Sequence, residues 1–448
     1  MRRRRVAWLL AVLVAHAWLY HRVPASGFVT DDFLWLEDAG RSGGLLEHAL
    51  SRQPFGYLRP SFHLLMVGSR ACFGLHATAL HLLAIACSLA SALLLFALLR
   101  RATRSAAAGG LAALWLTVHP AQAIAVSWVS SLPSLLATTS GLGALWCWQG
   151  WLRRGGRARL LASIALHAAA LLAKEEAVVW LLAIVAWSLL HRRGGRSLLP
   201  IAAHGALAAG YLWLWCTVGE ASAPYLPAGA DWWAASVDPL LRCKALWLPR
   251  HAVTSPFAEL LLLAAAVVWW RRAPRRRAAW LAAAAVAALA LLPSSVGLWG
   301  FRWDKLDRLL LPALPAAAFV VGLWVATWRR APGWRRLLAV GTVVLLLVPF
   351  AVRSDKTIRR RLRDADRVTA LLAALTEHGT LLREAAASGR TVALVGYAVD
   401  WSEERAWIYP SGPARAVAPG LRLLPADRAS EADVVLAWNP TGDRFAIR

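Results

Sequence analysis

The sequence ATALHLLAIACSLASALLLFALLRRATR runs from Ala77 to Arg104. Its first 23 residues contain no Asp, Glu, Lys or Arg, and a helix that crosses a bilayer needs about 20 predominantly apolar residues. Three arginines follow this apolar run, at Arg100, Arg101 and Arg104. The stretch therefore predicts a transmembrane helix that ends in a positively charged cluster.

The same combination of an apolar run and an arginine cluster recurs through residues 1–354. Apolar residues make up 58% of the chain and charged residues 17%, which excludes a disordered chain and disfavours a soluble globular one. We predict about eleven transmembrane helices. They lie near residues 6–22, 77–99, 105–119, 133–152, 160–174, 176–190, 197–216, 256–270, 278–293, 309–328 and 337–353. The third, fifth and sixth are short enough to be tilted, broken or partly re-entrant.

The formal net charge of +25 is distributed unevenly. Of the 36 Lys and Arg residues before Ser354, 23 lie in six clusters without any Asp or Glu, and all 13 acidic residues of that region lie at or beyond the opposite ends of the predicted helices. The positive-inside rule then places the N-terminus in the cytoplasm and the C-terminus outside.

Because the basic residues separate apolar runs, nucleic acid is not an expected partner. The abundance of Ala and Arg is typical of a GC-rich bacterial genome, so we expect a bacterial inner-membrane protein.

Two domains are predicted. Residues 1–354 form an all-α polytopic membrane domain with long outer loops at 23–76 and 217–255, whose aromatic and amphipathic segments predict helices on the membrane surface. Residues 355–448 form a small extracytoplasmic α/β domain. It begins with an amphipathic helix whose apolar positions are Ile358, Leu362, Ala365, Val368, Leu372 and Leu375. The segments RTVALVGYA from Arg390 and EADVVLAWN from Glu431 predict short buried strands.

The first outer loop begins with the acidic segment TDDFLWLED, from Thr30. Two adjacent carboxylates beside a membrane helix are costly unless they are solvated, paired or used in chemistry. One interpretation is that Thr30 or Asp31 caps a helix that begins at Asp32. The other is that a carboxylate of the pair has a catalytic function, which does not exclude a capping role.

Five further segments follow in order, and each falls on the predicted outer side. They are YLRPSFHLL from Tyr57, FGLHATALHLL from Phe73, HPAQAIAVSWVSSLPSLLA from His119, AKEEAVVWLL from Ala173 and DRLLLPALP from Asp307. This order resembles the polytopic glycosyltransferases of the GT-C fold, specifically the TMTC-type transmembrane O-mannosyltransferases and their bacterial relatives. The resemblance covers about residues 1–350. The last segment departs from the family's E-R-Y-L-Y-x-P pattern, because Asp307 replaces Glu and the aromatic residues are absent.

The resemblance implies inverting transfer of a hexose, with mannose as the example, from polyprenyl phosphate to a hydroxyl group of a protein, glycan or lipid. Asp31 is then the leading candidate for the general base and Asp32 the second. Cationic groups stabilise the departing phosphate. The candidates for this role are Arg308, Lys174 and Arg59, and the supporting residues are Glu175, His119 and Asp307.

Each of these assignments has a structural alternative. Arg308 can pair with Asp304 or Asp307, and Lys174 can snorkel from an interfacial turn. Arg59 can pair with another loop, and His119 can be a helix-end histidine whose hydrogen bonds are made within the protein.

No cofactor is expected, and no metal, because the histidine spacings match no common ligand pattern. The alternative function is a transporter or flippase of a lipid-linked glycan or another anionic amphiphile, which should place ionisable residues near the middle of the membrane. A membrane scaffold is a third possibility.

Overall fold

The computed structural model describes most of the chain. The described residues are 2–29, 31–40, 43–50, 57–190, 198–218, 313–328, 333–395, 411–418, 421–424, 426–439 and 444–447. The predicted helices near 256–270 and 278–293, almost all of the loop 217–255, and the candidate site residues Asp307 and Arg308 lie outside these ranges.

The described part of the chain is mostly helical. Its helices are α1 (Arg2–Tyr20), α2 (Asp32–Ala39), α3 (Leu45–Leu50), α4 (Pro60–Phe73), α5 (Thr78–Thr103), α6 (Ala106–Val118), α7 (Pro120–Val126), α8 (Leu132–Arg154), α9 (Arg157–Ala173), α10 (Val179–Leu190), α11 (Leu198–Val218), α12 (Leu314–Thr327), α13 (Gly333–Glu377), α14 (Gly379–Ala387) and α15 (Ser411–Val417). Four short strands are β1 (Thr391–Val395), β2 (Arg422–Leu424), β3 (Val434–Asn439) and β4 (Arg444–Ile447).

Three segments within the described ranges are long and apolar enough to cross a membrane. They are Arg3–Ala25, Thr78–Thr103 and Leu199–Thr217. A fourth is possible if α6 and α7, which meet at an angle of 59°, form one broken span. The prediction of a membrane protein is therefore supported, but with fewer clear spans than eleven. One reason is length: α6 and α10 have 13 and 12 residues, fewer than a straight crossing requires, and α9, with 17 residues, is at the lower limit.

The long helix α13 joins two elements that the sequence predicts separately. It contains 45 residues, with Pro349 inside it, and extends about 68 Å at 1.5 Å per residue. The change of composition at Ser354 therefore falls inside a helix. The predicted apolar positions Ile358, Ala365, Val368 and Leu375 are buried, as an amphipathic helix requires.

The residues form two compact units. Unit A contains Met1–His21, Leu83–Val126 and Ser131–Ile358, and unit B contains Arg22–Leu82, Ser127–Ser130 and Arg359–Arg448. The grouping differs from the predicted division at residue 354, because residues 23–76, the predicted first outer loop, belong with the C-terminal residues.

Unit A is a helical bundle in which α8 packs along α9, and α6 contacts both α1 and α12. Small residues allow these helices to approach closely. A Cβ atom on Gly322 of α12 would lie 2.6 Å from Leu99 Cδ1 and 3.0 Å from the Ala108 carbonyl oxygen. A Cβ atom on Gly110 of α6 would lie 2.4 Å from the Trp8 ring.

Unit B contains a four-stranded sheet with the order β2-β1-β3-β4. The strand β1 is parallel to β2 and β3, whereas β4 is antiparallel to β3. The two predicted strands correspond to β1 and β3. Their buried side chains, including Val392 and Leu436, pack with Leu371, Leu375 and Leu382 of α13 and α14.

The helices of the first outer loop form the rest of unit B. Helix α2 packs against α4 and α15. Arg70 of α4 donates from Nη1 to the Leu36 carbonyl, at 2.7 Å, and from Nη2 to the Ala416 carbonyl, at 3.1 Å. One guanidinium therefore ties α2 and α4 to α15, which explains why this loop groups with the C-terminal residues.

Candidate functional site

The acidic pair lies at the start of α2, where the sequence predicts a helix N-terminus. The helix begins at Asp32, and Asp31 occupies the N-cap position. The Asp31 side chain makes no capping hydrogen bond, and Thr30 lies outside the described residues. The predicted helix start is therefore confirmed, whereas capping by the Asp31 side chain is not.

Asp32 is buried and accepts three hydrogen bonds. Its Oδ2 accepts from the Val29 N–H at 2.9 Å, and its Oδ1 accepts from the Ser130 N–H at 2.7 Å and from the Ser130 hydroxyl. Only 1% of the residue is exposed. A carboxylate that satisfies three donors fixes the backbone around it. Asp32 therefore holds the segment Ser127–Ser130 against the start of α2.

Burial also changes the acidity of Asp32. It raises the pKa of this carboxyl from 3.8 to about 7, because a charged group is disfavoured away from water. The hydrogen bonds from Ser130 and Val29 act in the opposite direction, and the neighbouring charge of Asp31 raises the pKa further. Asp32 is therefore suited to positioning, since it is enclosed by the protein.

Asp31 differs from its neighbour in its access to solvent. It is half-buried, whereas Asp32 is fully buried. A general base must reach the proton of a bound hydroxyl group. The two neighbouring carboxyl groups therefore differ in exposure, and Asp31, the leading candidate from the sequence, is the more accessible of the two to solvent.

Arg59 belongs to the same unit and is 7% exposed. It precedes α4, and Pro60 occupies the first helical position, where its missing N–H costs nothing. The guanidinium carbon lies 3.9 Å from the centroid of the Tyr57 ring, within the range of a cation–π contact. This stacking orients a buried cation.

A histidine that the sequence prediction did not use lies buried in unit B. His63 Nε2 is 2.9 Å from Asp38 Oδ2, and Nδ1 contacts the His48 carbonyl oxygen. Because a carbonyl oxygen can only accept, Nδ1 carries a proton. The ring is therefore oriented by a carboxylate on one side and the backbone on the other, and it helps to hold α2, α3 and α4 together.

Lys174 lies in unit A, directly after α9, and is buried. Its Nζ donates to Ser134 Oγ at 2.8 Å and to Glu176 Oε1 at 2.6 Å. The prediction assigns the orientation of Lys174 to Glu175. The structure shows an ion pair between Lys174 and Glu176, which follows Glu175 in the short helical turn Glu175–Val178.

His119 lies at the break between α6 and α7. Its Nδ1 accepts from the Ala121 N–H at 3.1 Å, and its ring is 4.8 Å from those of Trp115 and Phe350. The imidazole thus satisfies an N–H group at the start of α7 and is packed between two aromatic rings. These contacts favour the structural interpretation of His119.

Two carbonyl groups at the same break receive side-chain donors. Tyr20 donates from its hydroxyl to the Thr117 carbonyl at 2.8 Å, and Ser354 donates to the Val118 carbonyl at 2.7 Å. Backbone groups released by a helix break within a membrane must find such partners. The broken pair is therefore stabilised by contacts from α1 and α13.

The predicted site residues are thus divided between the two units. Asp31, Asp32 and Arg59 lie in unit B, and Lys174, Glu175 and His119 lie in unit A. In the ranges that the structure describes, no three His, Cys, Asp or Glu side chains lie together as a metal site would require.

No protein-family model matches the sequence, and no curated protein matches it either. The resemblance to GT-C enzymes therefore rests on the motifs and their order.

Proposed function

We propose that this protein is a membrane glycosyltransferase of the GT-C type that transfers a hexose, such as mannose, from polyprenyl phosphate to a hydroxyl acceptor. The observation that carries the proposal is the asymmetry of the acidic pair. Asp32 is buried and holds two segments by three hydrogen bonds, whereas Asp31 beside it is half-buried and therefore more accessible to solvent.

The chemistry follows from these different surroundings. In an inverting transfer, the acceptor oxygen attacks the anomeric carbon as the bond between that carbon and the phosphate oxygen breaks. Asp31 takes the proton from the acceptor hydroxyl group, and the polyprenyl phosphate leaves as an anion. Asp32 keeps Asp31 in place through the Val29 and Ser130 donors. Arg59, a buried guanidinium in the same unit, is the described cation that we assign to the donor phosphate, while Arg308 and Lys174 remain predictions from the resemblance.

The proposal includes a location. The reaction takes place at the extracytoplasmic face of a bacterial inner membrane, with about eleven transmembrane helices, a cytoplasmic N-terminus and an extracytoplasmic C-terminal α/β domain. Charge distribution supports this topology, since the arginine clusters contain no acidic residue. A lipid-phosphate donor supplies activated sugar in a compartment that lacks nucleotide sugars.

The test is release of polyprenyl phosphate by the purified full-length protein, incubated in detergent with polyprenyl-phosphate mannose and glucose and with acceptor peptides or glycans. We expect Asp31→Asn to reduce the rate at least 100-fold, since general base catalysis contributes about 10²–10⁴-fold. Glu37→Gln is a matched control, because it neutralises another half-buried carboxyl on α2. Full activity of Asp31→Asn, or equal losses in both variants, would contradict the assignment.

One observation favours transport as a second candidate. His167 of α9 and His204 of α11 are fully buried, and their Nδ1 atoms are 3.1 Å apart. Ionisable residues inside apolar helices often mark transport or proton pathways. In liposomes, a transporter would move a fluorescent lipid-linked sugar between leaflets without releasing polyprenyl phosphate, and His167→Gln would stop this movement. A transferase would release polyprenyl phosphate, and His167→Gln would leave the release unchanged.

A further inference from the structure

Four arginines surround a cavity in unit A, at the end of the bundle where α5 and α8 finish and α9 begins. The cavity has a volume of about 130 Å³, which is smaller than a typical pocket for a drug-sized ligand. The arginines are Arg101, Arg153, Arg154 and Arg159, and no residue that lines the cavity is acidic. Its size and charge are suited to a compact anion.

Specific contacts hold two of these arginines in place. The Arg101 guanidinium carbon lies 3.1 Å from the centroid of the Trp146 ring. Arg153 Nη2 donates to the Arg101 carbonyl oxygen at 3.3 Å, which joins the last turn of α8 to the last turns of α5. These contacts connect the cationic ends of α5 and α8, where Arg101 is half-buried and Arg153 is exposed.

Arg159 is positioned from the other side of the cavity. Its Nη1 donates to the Gly155 carbonyl at 3.0 Å. A Cβ atom on Gly150 of α8 would lie 3.2 Å from Arg159 Cδ, so the bare glycine leaves room for the Arg159 side chain to cross α8. The turn between α8 and α9 also needs glycine, because Gly155 has φ of +68° and Gly156 has φ of +98°.

Four guanidinium groups without a carboxylate repel one another, and an anion relieves that repulsion. Guanidinium groups bind phosphate oxygens through paired N–H donors. Arg101 lies near the end of α5, one of the segments long and apolar enough to cross the membrane, and basic pockets between the ends of transmembrane helices bind anionic lipid headgroups. The charge and the position therefore indicate the same chemical group.

We propose that this four-arginine cavity is a binding site for a phosphate group, which is presented either by an anionic lipid or by a soluble phosphate compound. The site is independent of the sugar-transfer proposal, because none of its residues belongs to the predicted catalytic or donor-binding set. The lipid would anchor the ends of three helices by occupying the space between their arginines.

The test measures binding to the purified full-length protein in neutral detergent. Native mass spectrometry counts the phosphatidylglycerol molecules that the protein retains, and zwitterionic phosphatidylcholine is the comparison lipid. Calorimetry measures the binding of inorganic pyrophosphate. The test variant is Arg101→Gln with Arg159→Gln. Arg104→Gln is the matched control, since Arg104 belongs to the same sequence cluster but does not line the cavity. A second variant, Arg101→Lys with Arg159→Lys, keeps the positive charges.

We expect the wild type to bind at least one of the two phosphate probes. Its affinity should fall at least 10-fold in the double Gln variant and change less than 2-fold in Arg104→Gln. The double Lys variant should retain more binding than the double Gln variant. Retention of phosphatidylglycerol alone identifies the lipid as the source, and binding of pyrophosphate alone identifies a soluble ligand. The proposal is overturned if the wild type binds neither probe more than phosphatidylcholine, or if the double Gln variant and the Arg104 control lose binding equally.

Discussion

Asp32 gives the protein a stability that decreases as pH rises. Because burial raises the pKa of its carboxyl from 3.8 to about 7, the folded protein binds this proton more tightly than the unfolded chain. The contribution to the free energy of unfolding is therefore greatest below about pH 4 and is lost as pH rises through about 7. A difference of about three pKa units corresponds to about 4 kcal/mol, or about 1.4 kcal/mol for each pH unit inside that window.

The substitution Asp32→Asn isolates this contribution, because asparagine does not titrate. Asparagine keeps one carbonyl oxygen for Ser130 but turns an NH₂ group toward one of the former donors, which costs about 1–3 kcal/mol at any pH. We expect the difference in unfolding free energy, wild type minus variant, to fall by about 4 kcal/mol between pH 4 and pH 8.

The assay is chemical unfolding of both proteins in detergent, followed by the fluorescence of the 26 tryptophans. Glu37→Gln serves as the control, since it removes a half-buried carboxyl from the same helix without touching the Asp32 hydrogen bonds. A difference between wild type and Asp32→Asn that is constant with pH would refute the reasoning. A difference that grows with pH would mean that the three donors outweigh burial and depress the pKa.

Three further predictions concern unit A, and each is measured as a change in unfolding midpoint in detergent. Lys174→Gln and Glu176→Gln should each destabilise the protein by about 3–5 kcal/mol, because each single change leaves a buried charge without its partner. The double variant should lose less than the sum of the two single effects, and strictly additive losses would exclude the ion pair. Gly141→Ala should destabilise the protein by about 1–3 kcal/mol, because the added Cβ atom would lie 2.1 Å from the Trp180 ring. Alanine has the higher helix propensity, so a stabilised variant would contradict this packing. Ser354→Ala should cost about 1–2 kcal/mol, because the Val118 carbonyl loses its donor; no change would show that water replaces the hydroxyl.

Much of the local structure could be predicted from the sequence. The apolar positions of α13 follow from helical spacing, and the strands β1 and β3 follow from apolar runs. The start of α2 at Asp32 agrees with the preference for acidic residues in the first turn of a helix. These signals lie within a few residues of the elements that they specify. The three-residue strand β2 is too short to leave such a pattern.

The contacts of the site were less predictable, because they join distant or nearly equivalent residues. Ser130 lies 98 positions from Asp32, and no periodicity records their pairing. Ser130 belongs to the HPAQAIAVSWVSSLPSLLA segment, but nothing in that segment indicates that this serine is the donor. Glu175 and Glu176 are adjacent, and the sequence alone does not indicate that Glu176 pairs with the Lys174 ammonium group.

The contact between Asp32 and Ser130 also orders events during synthesis. At about 5–20 residues per second, the ribosome needs roughly 5–20 s to add the 98 residues that separate the two positions. During that interval the Asp32 carboxyl has no Ser130 donor and must remain hydrated. Residues 23–76 therefore cannot adopt their final arrangement until the chain has been made as far as Ser130, which follows α7.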